Sequence, residues 1–244
     1  PSLTYTTAYQ TEKDSFYVTV GLWQAGQNRI FIDCSVQSPA DMLSPGRIGM
    51  TAILPVRFTA MKWYGKGPLE TYPDRQCGGR MGVYSEDVRN QPFYLRPQEY
   101  GLHTESRSMR LTDPDRADFV RFEAACPMAM SAVPYSDLQL WNARHPFELP
   151  APEALYVHLD YAHRGLGNSS CGPDVLPTYR IDDRPCRFGF ALEAGLGERE
   201  DNPFGPIPEE IPAYHPWKAV GEQDRTPSYR DPSDPDQRSN AGMV

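Results

Sequence analysis

Short runs of β-branched and aromatic residues, separated by turn-forming residues, recur along most of the chain. The runs at residues 16–22 (Phe-Tyr-Val-Thr-Val-Gly-Leu) and 29–36 (Arg-Ile-Phe-Ile-Asp-Cys-Ser-Val) flank a turn-type stretch and predict a β-hairpin. Strands at this spacing, with turn signals between them, indicate an antiparallel β-sandwich. Further strands are predicted at residues 47–54, 58–64, 106–111, 119–125, 155–159 and 177–181.

Helical periodicity is weak, and one short helix is expected. Ser136 is a candidate N-cap for it, and Pro146 is expected to end it. Leu140 and Trp141 are predicted to face the core. The Asp-Pro-Asp-Arg stretch at residues 113–116 predicts a tight turn between two strands.

The most distinctive stretch is residues 63–75, Trp-Tyr-Gly-Lys-Gly-Pro-Leu-Glu-Thr-Tyr-Pro-Asp-Arg. The glycines permit positive φ, whereas Pro68 and Pro73 fix φ and restrict the residue before each of them. No regular helix or strand is therefore expected here. The stretch is interpreted as a shaped loop at the end of a strand, and loops held this firmly often carry function.

The composition divides the chain of 244 residues into two parts. Residues 1–192 carry the strand-like runs and form one predicted sandwich domain. Residues 193–244 are acidic and rich in proline, and such a composition favours an extended tail because it cannot offset the entropy of ordering. An aromatic island at residues 211–217 is expected to contact its own domain or a partner.

The net charge of −8 argues against nucleic acid or an anionic membrane as a partner. No apolar run is long enough to predict a membrane-spanning helix. The five cysteines have irregular spacing, so reduced thiols and a cytoplasmic location are expected. The first residue is Pro, and the chain is interpreted as processed, trimmed or part of a longer protein.

Residues 63–75 resemble a signature in the C-terminal domain of the large β-galactosidases of glycoside hydrolase family two. Further resemblances follow in the same order at residues 94–101 (Tyr-Leu-Arg-Pro-Gln-Glu-Tyr-Gly), 122–145 and 159–173. Together they extend from about Leu3 to about Leu192. The resemblance implies that family's fold for this domain, a large antiparallel β-sandwich of the galactose-mutarotase-like supersandwich type.

The family's chemistry is implied to lie elsewhere. Retaining glycosidases need two carboxylates about 5 Å apart, and in the family these lie in a barrel domain beside a magnesium site. Nothing in this sequence matches that barrel. The chain alone is therefore expected to be inactive, with no catalytic residue or cofactor of its own. By resemblance, it completes the active-site rim and the assembly of a β-galactosidase together with a large catalytic chain or domain.

The loop at residues 165–173 is the part expected to meet the galactoside substrate. In the family this loop reaches over the sugar pocket and carries a stacking tryptophan, whose position is occupied here by a cysteine that cannot stack. Plain turn chemistry, with side chains bonding nearby backbone, is the alternative. The candidate rim residues are Asn168, Ser169, Ser170 and Cys171.

Acidic residues near these motifs are interpreted as structural rather than as an acid–base pair. Asp74 with Arg75, and Arg96 near Glu99, are expected to form ion pairs that pin loops. Glu70 and Glu105 are also not assigned a catalytic role.

Trp63 and Tyr72 are expected to anchor the core and the loop, with an exposed sugar-stacking platform as the alternative. His145 matches an Arg-His segment of the family and is expected to be packed and hydrogen-bonded. The five histidines show no metal-ligand spacing.

Two other functions remain open on the sequence. One is a stand-alone carbohydrate-binding module with aromatic platforms. The other is a purely structural assembly domain, since an uncovered strand edge favours self-association and an oligomer is expected.

Overall fold

The computed structural model describes residues 2–10, 15–38, 44–91, 94–167, 172–182 and 184–197. Within them lie one short α-helix, three single-turn 3₁₀ helices and ten strands. The α-helix is α1 (Asp137–Asn142), and the 3₁₀ turns are Val88–Asn90, Pro146–Glu148 and Pro177–Tyr179. The strands are β1 (Ser2–Gln10), β2 (Ser15–Gln24), β3 (Arg29–Gln37), β4 (Arg47–Pro55), β5 (Ala60–Gly67), β6 (Arg80–Asp87), β7 (His103–Thr112), β8 (Phe119–Val133), β9 (Ala154–His163) and β10 (Cys186–Gly195).

The ten strands form one antiparallel sheet that forks at β8. The main path runs β1-β2-β3-β10-β8-β7-β5-β6. The first part of β8, Phe119–Ala124, pairs with β10, and its last part, Ala129–Val133, pairs with β9. β4 pairs with β9 and completes the second branch. The 15-residue strand β8 is therefore shared by both branches.

The two branches pack face to face and form a sandwich. The thiol of Cys34 on β3 lies 3.2 Å from the sulfur of Met50 on β4, although these strands do not pair. The rings of Tyr161 on β9 and Phe188 on β10 stack with centroids 5.5 Å apart. A single hydrophobic core joins buried side chains of both branches. The predicted all-β antiparallel sandwich is confirmed.

Most strands could be read from the sequence. The predicted hairpin is confirmed, since β2 and β3 pair in register with Val20 opposite Cys34. β1, β6 and β10 were missed. The strand predicted at residues 177–181 was wrong, because Pro177 begins a 3₁₀ turn closed by the Arg180 N–H and the Pro177 carbonyl at 3.1 Å.

The distinctive stretch contains more regular structure than predicted. β5 continues through Trp63 to Gly67, so the expectation that no strand fits residues 63–75 was wrong for its first part. Alternate residues of this strand are buried, including Trp63, Gly65 and Gly67. The irregular part of the stretch begins only at Pro68.

The turn and the helix largely agree with the sequence. Backbone N–H groups of Asp115 and Arg116 donate to the Asp113 side chain, which confirms the tight turn between β7 and β8. Ser136 caps α1, as predicted, and the cap is a reciprocal capping box with Gln139. Trp141 does not face the core but is 85% exposed.

The proposed division at residue 192 stays a prediction. β10 runs to Gly195, slightly beyond it. From residue 198 onward the chain, including the aromatic island at residues 211–217, lies outside the described residues.

Candidate functional site

The loop that links β5 to β6, residues 68–79, packs through Tyr72 against Leu102 and Leu166 and is called here the signature loop. Tyr72 and Arg75 close it through two backbone hydrogen bonds, 3.1 Å from Tyr72 N to Arg75 O and 2.8 Å in return. The Tyr72 ring is fully buried against Leu102, Ala129 and Leu166. The loop is therefore held by a packed aromatic anchor.

Glu70 ties the signature loop to the segment at residues 94–101. Its Oε2 accepts from the Gly101 N–H at 2.7 Å, and its Oε1 accepts from Arg75 and the Tyr94 hydroxyl. Arg75 also donates to the Tyr94 hydroxyl at 2.7 Å. The ion pair predicted between Asp74 and Arg75 was wrong, since the Arg75 guanidinium pairs with Glu70.

Thr71 and Trp63 join the same loop to the start of β7. The Thr71 N–H donates to the Leu102 carbonyl at 2.6 Å, and the Thr104 N–H donates to the Thr71 hydroxyl at 2.8 Å. The Trp63 indole stacks on His103 with ring centroids 3.9 Å apart, and its N–H donates to the Lys66 carbonyl at 3.1 Å. Trp63 is 1% exposed, so it serves the core and offers no platform to a sugar.

Asp74 holds the base of the candidate rim loop. Its two carboxylate oxygens accept from the N–H groups of Leu166, at 3.0 Å, and Gly167, at 2.7 Å. A Cβ on Gly165 would lie 2.7 Å from the Asp74 Cγ and 2.7 Å from the Val175 Cγ2. Gly167 has a φ of +63°, a conformation that favours glycine. Glycine at position 165 therefore lets the backbone approach this carboxylate, and glycine at position 167 adopts the positive φ and fits against the Val175 backbone.

The far end of the candidate rim loop is fixed by Asp174. Its carboxylate pairs with Arg164 and with Arg180, the latter at 3.3 Å, and accepts from the Val175 N–H at 2.7 Å. The Gly165 N–H donates to the Tyr179 carbonyl at 2.9 Å. The candidate rim residues between these anchors, Asn168, Ser169, Ser170 and Cys171, lie outside the described residues.

A charged cluster around Arg47 of β4 lies next to this junction. The Arg47 guanidinium pairs with Glu99, and its nitrogens lie 3.7 Å from the Asp160 carboxylate and 3.5 Å from that of Asp137. The Tyr72 hydroxyl donates to Glu99 at 3.4 Å. The predicted partner of Glu99 was wrong: Glu99 pairs with Arg47 on a remote strand, while Arg96 is exposed.

Burial is the main cause of the pKa shifts in this cluster. It raises the pKa of Asp160 to about 8, against the opposing charge of Arg47, and it also raises the pKa of Glu99. Burial lowers the pKa of His158 to about 4 and that of His163 to about 4. His158 and His163 are therefore neutral at pH 7.

The Arg47 cluster connects β4 to β9, to the segment at residues 94–101 and to α1. A retaining glycosidase places its sugar between two carboxylates. Here Arg47 contacts both Glu99 and Asp160, and Asp160 is 1% exposed. The sequence reading missed Arg47 and Asp160; the signal was a charged residue inside a strand-like apolar run.

His145 was predicted to be packed, which was wrong. Its ring is exposed, lies 3.1 Å from the Glu148 carboxylate and stacks on Phe147 with centroids 5.2 Å apart. The expected hydrogen bond is therefore present, but on the surface.

The described residues contain neither a metal-binding cluster nor a membrane-spanning helix. No group of three or more His, Cys, Asp or Glu side chains there is arranged to hold a metal ion. In the same part of the chain, no helix has the length and apolar character needed to cross a membrane.

Distant likeness to solved structures is found among sugar epimerases. A putative aldose 1-epimerase from Escherichia coli K12 gives a TM-score of 0.44 at 12% identity, covering 80% of this chain and 65% of the other. A GalM/aldose epimerase homologue from C. elegans gives 0.43 at 9% identity, covering 81% and 66%.

The relatives found by sequence have a higher identity to this chain than these solved structures have. A β-galactosidase from Arthrobacter sp. (strain B7) is 34% identical over 168 residues, covering 65% of this chain and 16% of that protein. β-Galactosidase BgaC from Bifidobacterium adolescentis is 35% identical over 175 residues, covering 69% and 16%. The chain thus spans about a sixth of the length of these relatives. Residues 2–192 match the profile of the family described as "Beta galactosidase small chain", and the chain belongs to that family.

Proposed function

We propose that this chain is the C-terminal domain or small subunit of a β-galactosidase of glycoside hydrolase family two. The complete enzyme hydrolyses terminal β-D-galactosides, such as lactose, with retention of configuration. Its catalytic glutamates and its magnesium ion belong to a catalytic domain or large chain that is not part of these residues. The family match over residues 2–192 and the 16% coverage of the relatives support this proposal.

The observation that carries the proposal is the clamp of Asp74 on the Leu166 and Gly167 N–H groups. Two charge-assisted hydrogen bonds hold the backbone of Leu166 and Gly167, which directly precede the candidate rim residues in the sequence. If the rim is already ordered before the substrate binds, less of the binding free energy is lost to ordering it. The role of the signature loop is thus to present a neighbouring loop to a pocket on another domain.

The Arg47 cluster supports the view that the chain alone is inactive. Glu99 and Asp160 both lie against the Arg47 guanidinium, and Asp160 is buried. In this proposal the chain adds pocket shape and interface to a catalytic centre that it does not contain.

Complementation tests the proposal. The purified chain is assayed with a chromogenic β-galactoside alone, with the matching catalytic chain, and with bovine albumin as a protein control. We expect no turnover alone and restored turnover with the catalytic chain. Robust hydrolysis by the chain alone, or a catalytic chain that is fully active without it, contradicts the proposal.

A role in assembly is favoured by one further observation. Within the described residues β1 pairs with β2 alone, and it exposes Leu3, Tyr5 and Tyr9. An uncovered strand edge with apolar side chains is a template for association. The proposal therefore includes an oligomer, and a concentration-independent monomer in sedimentation would contradict that part.

A cytoplasmic location is also proposed. The four described cysteines, Cys34, Cys77, Cys126 and Cys186, are free thiols, which is typical of a reducing compartment. Fractionation of the source cells with an antibody against the chain tests it.

A further inference from the structure

The main sheet has an outer face, which points away from the hydrophobic core and carries a row of charged side chains. Each member of this charged row lies opposite the next in the strand register. Across β3, β10, β8, β7 and β5 the members are Arg29, Glu193, Arg121, Arg110 and Lys62. Successive side chains of a strand point to opposite faces. The row lies on the outer face because the sequence neighbours of its members on β8 and β7 belong to the core: Val120, Phe122, Met109 and Leu111.

The charged row holds more positive than negative groups. Arg121, Arg110 and Lys62 follow one another on adjacent strands, and like charges directly opposite each other destabilise a sheet. The carboxylates of Glu193, at 2.6 Å, and Glu123, at 3.4 Å, pair with Arg121 and also with the arginine at the β3 end of the row. The row together with Glu123 thus holds four cations and two carboxylates, and it favours contact with an acidic segment.

Aromatic side chains lie beside the charged row on the same face. Trp23 of β2 and Phe31 of β3 are opposite each other, and their rings stack with centroids 5.9 Å apart. The same line of opposed residues continues through Glu123 to Tyr64 of β5, two residues from Lys62. Trp23, Phe31 and Tyr64 are half-buried rather than buried. The outer face therefore offers aromatic contacts next to positive charge.

The chain beyond residue 197 has a composition that matches this face. Residues 198–244 contain ten Asp and Glu against five Lys and Arg. Five of the acids fall within residues 198–210, and the aromatic island at residues 211–217 follows them directly. An acidic run followed by aromatic residues is complementary to a cationic row with aromatic rings beside it.

This segment also starts next to the charged row. Glu193 is a member of the row, and β10 ends two residues later at Gly195, opposite Phe119. The Gly197 N–H then donates to the Asp118 carboxylate at 3.0 Å. Three strand spacings separate β10 from β5, about 14 Å, and about five extended residues cover that distance. Residues 198–210 are therefore long enough to cross the row.

We propose that residues 198–217 bind to the outer face of their own sheet. The acids of residues 198–210 lie over the charged row, where they offset the repulsion between its neighbouring cations. The aromatic island at residues 211–217 packs against the aromatic side chains beside the row. This contact concerns the chain by itself and goes beyond the proposed function.

The same segment of a second copy, or an acidic segment of another protein, is the competing occupant. The chain's own segment is favoured because its attachment to β10 keeps it at a high effective concentration beside the row. A separate molecule loses translational and rotational freedom when it binds to the same face.

Carbodiimide cross-linking of the full chain tests the proposal, because it joins a lysine amine to a carboxylate only where the two are in contact. The chain has four lysines, so the linked peptides are few and can be assigned by mass spectrometry. We expect Lys62 to be linked to an acid within residues 198–210. Lys66 is the matched control, since it lies about 13 Å further along the same strand and its amine donates to the Gln76 side chain at 2.7 Å. We expect no such link from Lys66.

A pair of charge-reversal variants gives a second readout. A protease that cleaves after glutamate reports how accessible residues 198–210 are in the full chain. We expect Lys62→Glu to be cleaved there about fivefold faster than the unmodified chain, because one attraction becomes a repulsion. Arg144→Glu makes the same change in an exposed residue after α1, remote from the charged row, and should leave the cleavage rate unchanged.

Four results would overturn the proposal: no link between Lys62 and residues 198–210, equal linking of Lys66, equal cleavage of the two charge variants, or links between different chains. The last is detected by mixing isotope-labelled and unlabelled chains before cross-linking, and it would assign the face to a second copy. None of these measurements uses the catalytic chain, so their outcome is independent of the complementation test of the proposed function.

Discussion

Asp74 and Gly167 stand 93 positions apart in the chain, yet the carboxylate of one accepts the backbone N–H of the other at 2.7 Å. This contact links the signature loop to the base of the candidate rim. The adjacent Leu166 N–H binds the second oxygen of the same carboxylate. The shape of the signature loop therefore depends on this contact with the neighbouring loop as well as on strand β5.

Asp74→Asn tests the clamp. An amide keeps one acceptor but turns an NH₂ group toward a backbone N–H, so one charge-assisted bond is lost. We expect the free energy of unfolding to fall by about 1–3 kcal/mol. Urea denaturation measures it, and complemented galactosidase activity should fall in parallel. Asp115→Asn is the matched control, because Asp115 is exposed. Equal behaviour of the two variants would contradict the clamp.

Gly165→Ala tests the close approach behind the clamp. The new methyl group would meet Asp74 Cγ and Val175 Cγ2, both at 2.7 Å, so the loop base must shift. We expect a loss of about 1–3 kcal/mol in stability. Gly78→Ala is the control within the signature loop, since a Cβ there meets nothing within 4 Å. Thermal unfolding of both variants measures the difference. If Gly165→Ala were as stable as the unmodified chain, the loop base would have room for the added methyl group, and the prediction would be contradicted.

Arg47→Met tests the charged cluster. Removal of the guanidinium takes away the cation that Glu99 pairs with, and we expect a loss of about 3 kcal/mol in the free energy of unfolding. Arg96 is the partner of Glu99 that proximity in the sequence suggested. Arg96→Met should change the free energy of unfolding by no more than about 0.5 kcal/mol. Denaturant titration distinguishes the two. A larger effect at Arg96 would contradict the observed pairing.

The cluster also predicts a pH dependence of stability. The pKa of Asp160 rises from 3.8 to about 8 on folding, so between these values the native state binds the additional proton and stability falls as pH rises. His158 and His163 act oppositely from about 4 to 6.5, where their protonation favours the unfolded chain. Above pH 6.5 the two histidines no longer oppose the loss of stability that Asp160 causes as pH rises.

We therefore expect stability to decline by up to about 2 kcal/mol between pH 6.5 and pH 8. Urea unfolding across this range measures the decline, which Asp160→Asn should remove. Asp87→Asn should retain it, because the pKa of Asp87 is lowered by its bonds to Arg89 and its titration lies at acid pH. A flat profile in the unmodified chain would mean that Asp160 is ionised when folded.

The strands that could be read from the sequence are those whose alternation is strong, such as β2 and β3. β6 was missed because Arg80–Asp87 is polar and lies at a sheet edge, where packing imposes little pattern. The two wrong predictions of ion-pair partners have a common cause. Arg75 and Arg96 were paired with their sequence neighbours, whereas the fold brings Glu70 back across the turn and Arg47 from a strand 52 positions away. The sequence shows that such side chains are charged, but it does not show which distant group each of them pairs with.

The pairing of β3 with β10 has a consequence for how the chain is made. Cys34 lies opposite Phe188 in that ladder, so the hairpin of β2 and β3 finds its neighbour only after β10 has been synthesised. Contacts between such distant positions close late and slowly. Within the described residues, β10 is the strand through which β1, β2 and β3 join the rest of the sheet, so a chain cut short ahead of Cys186 would leave these three strands with nothing to join.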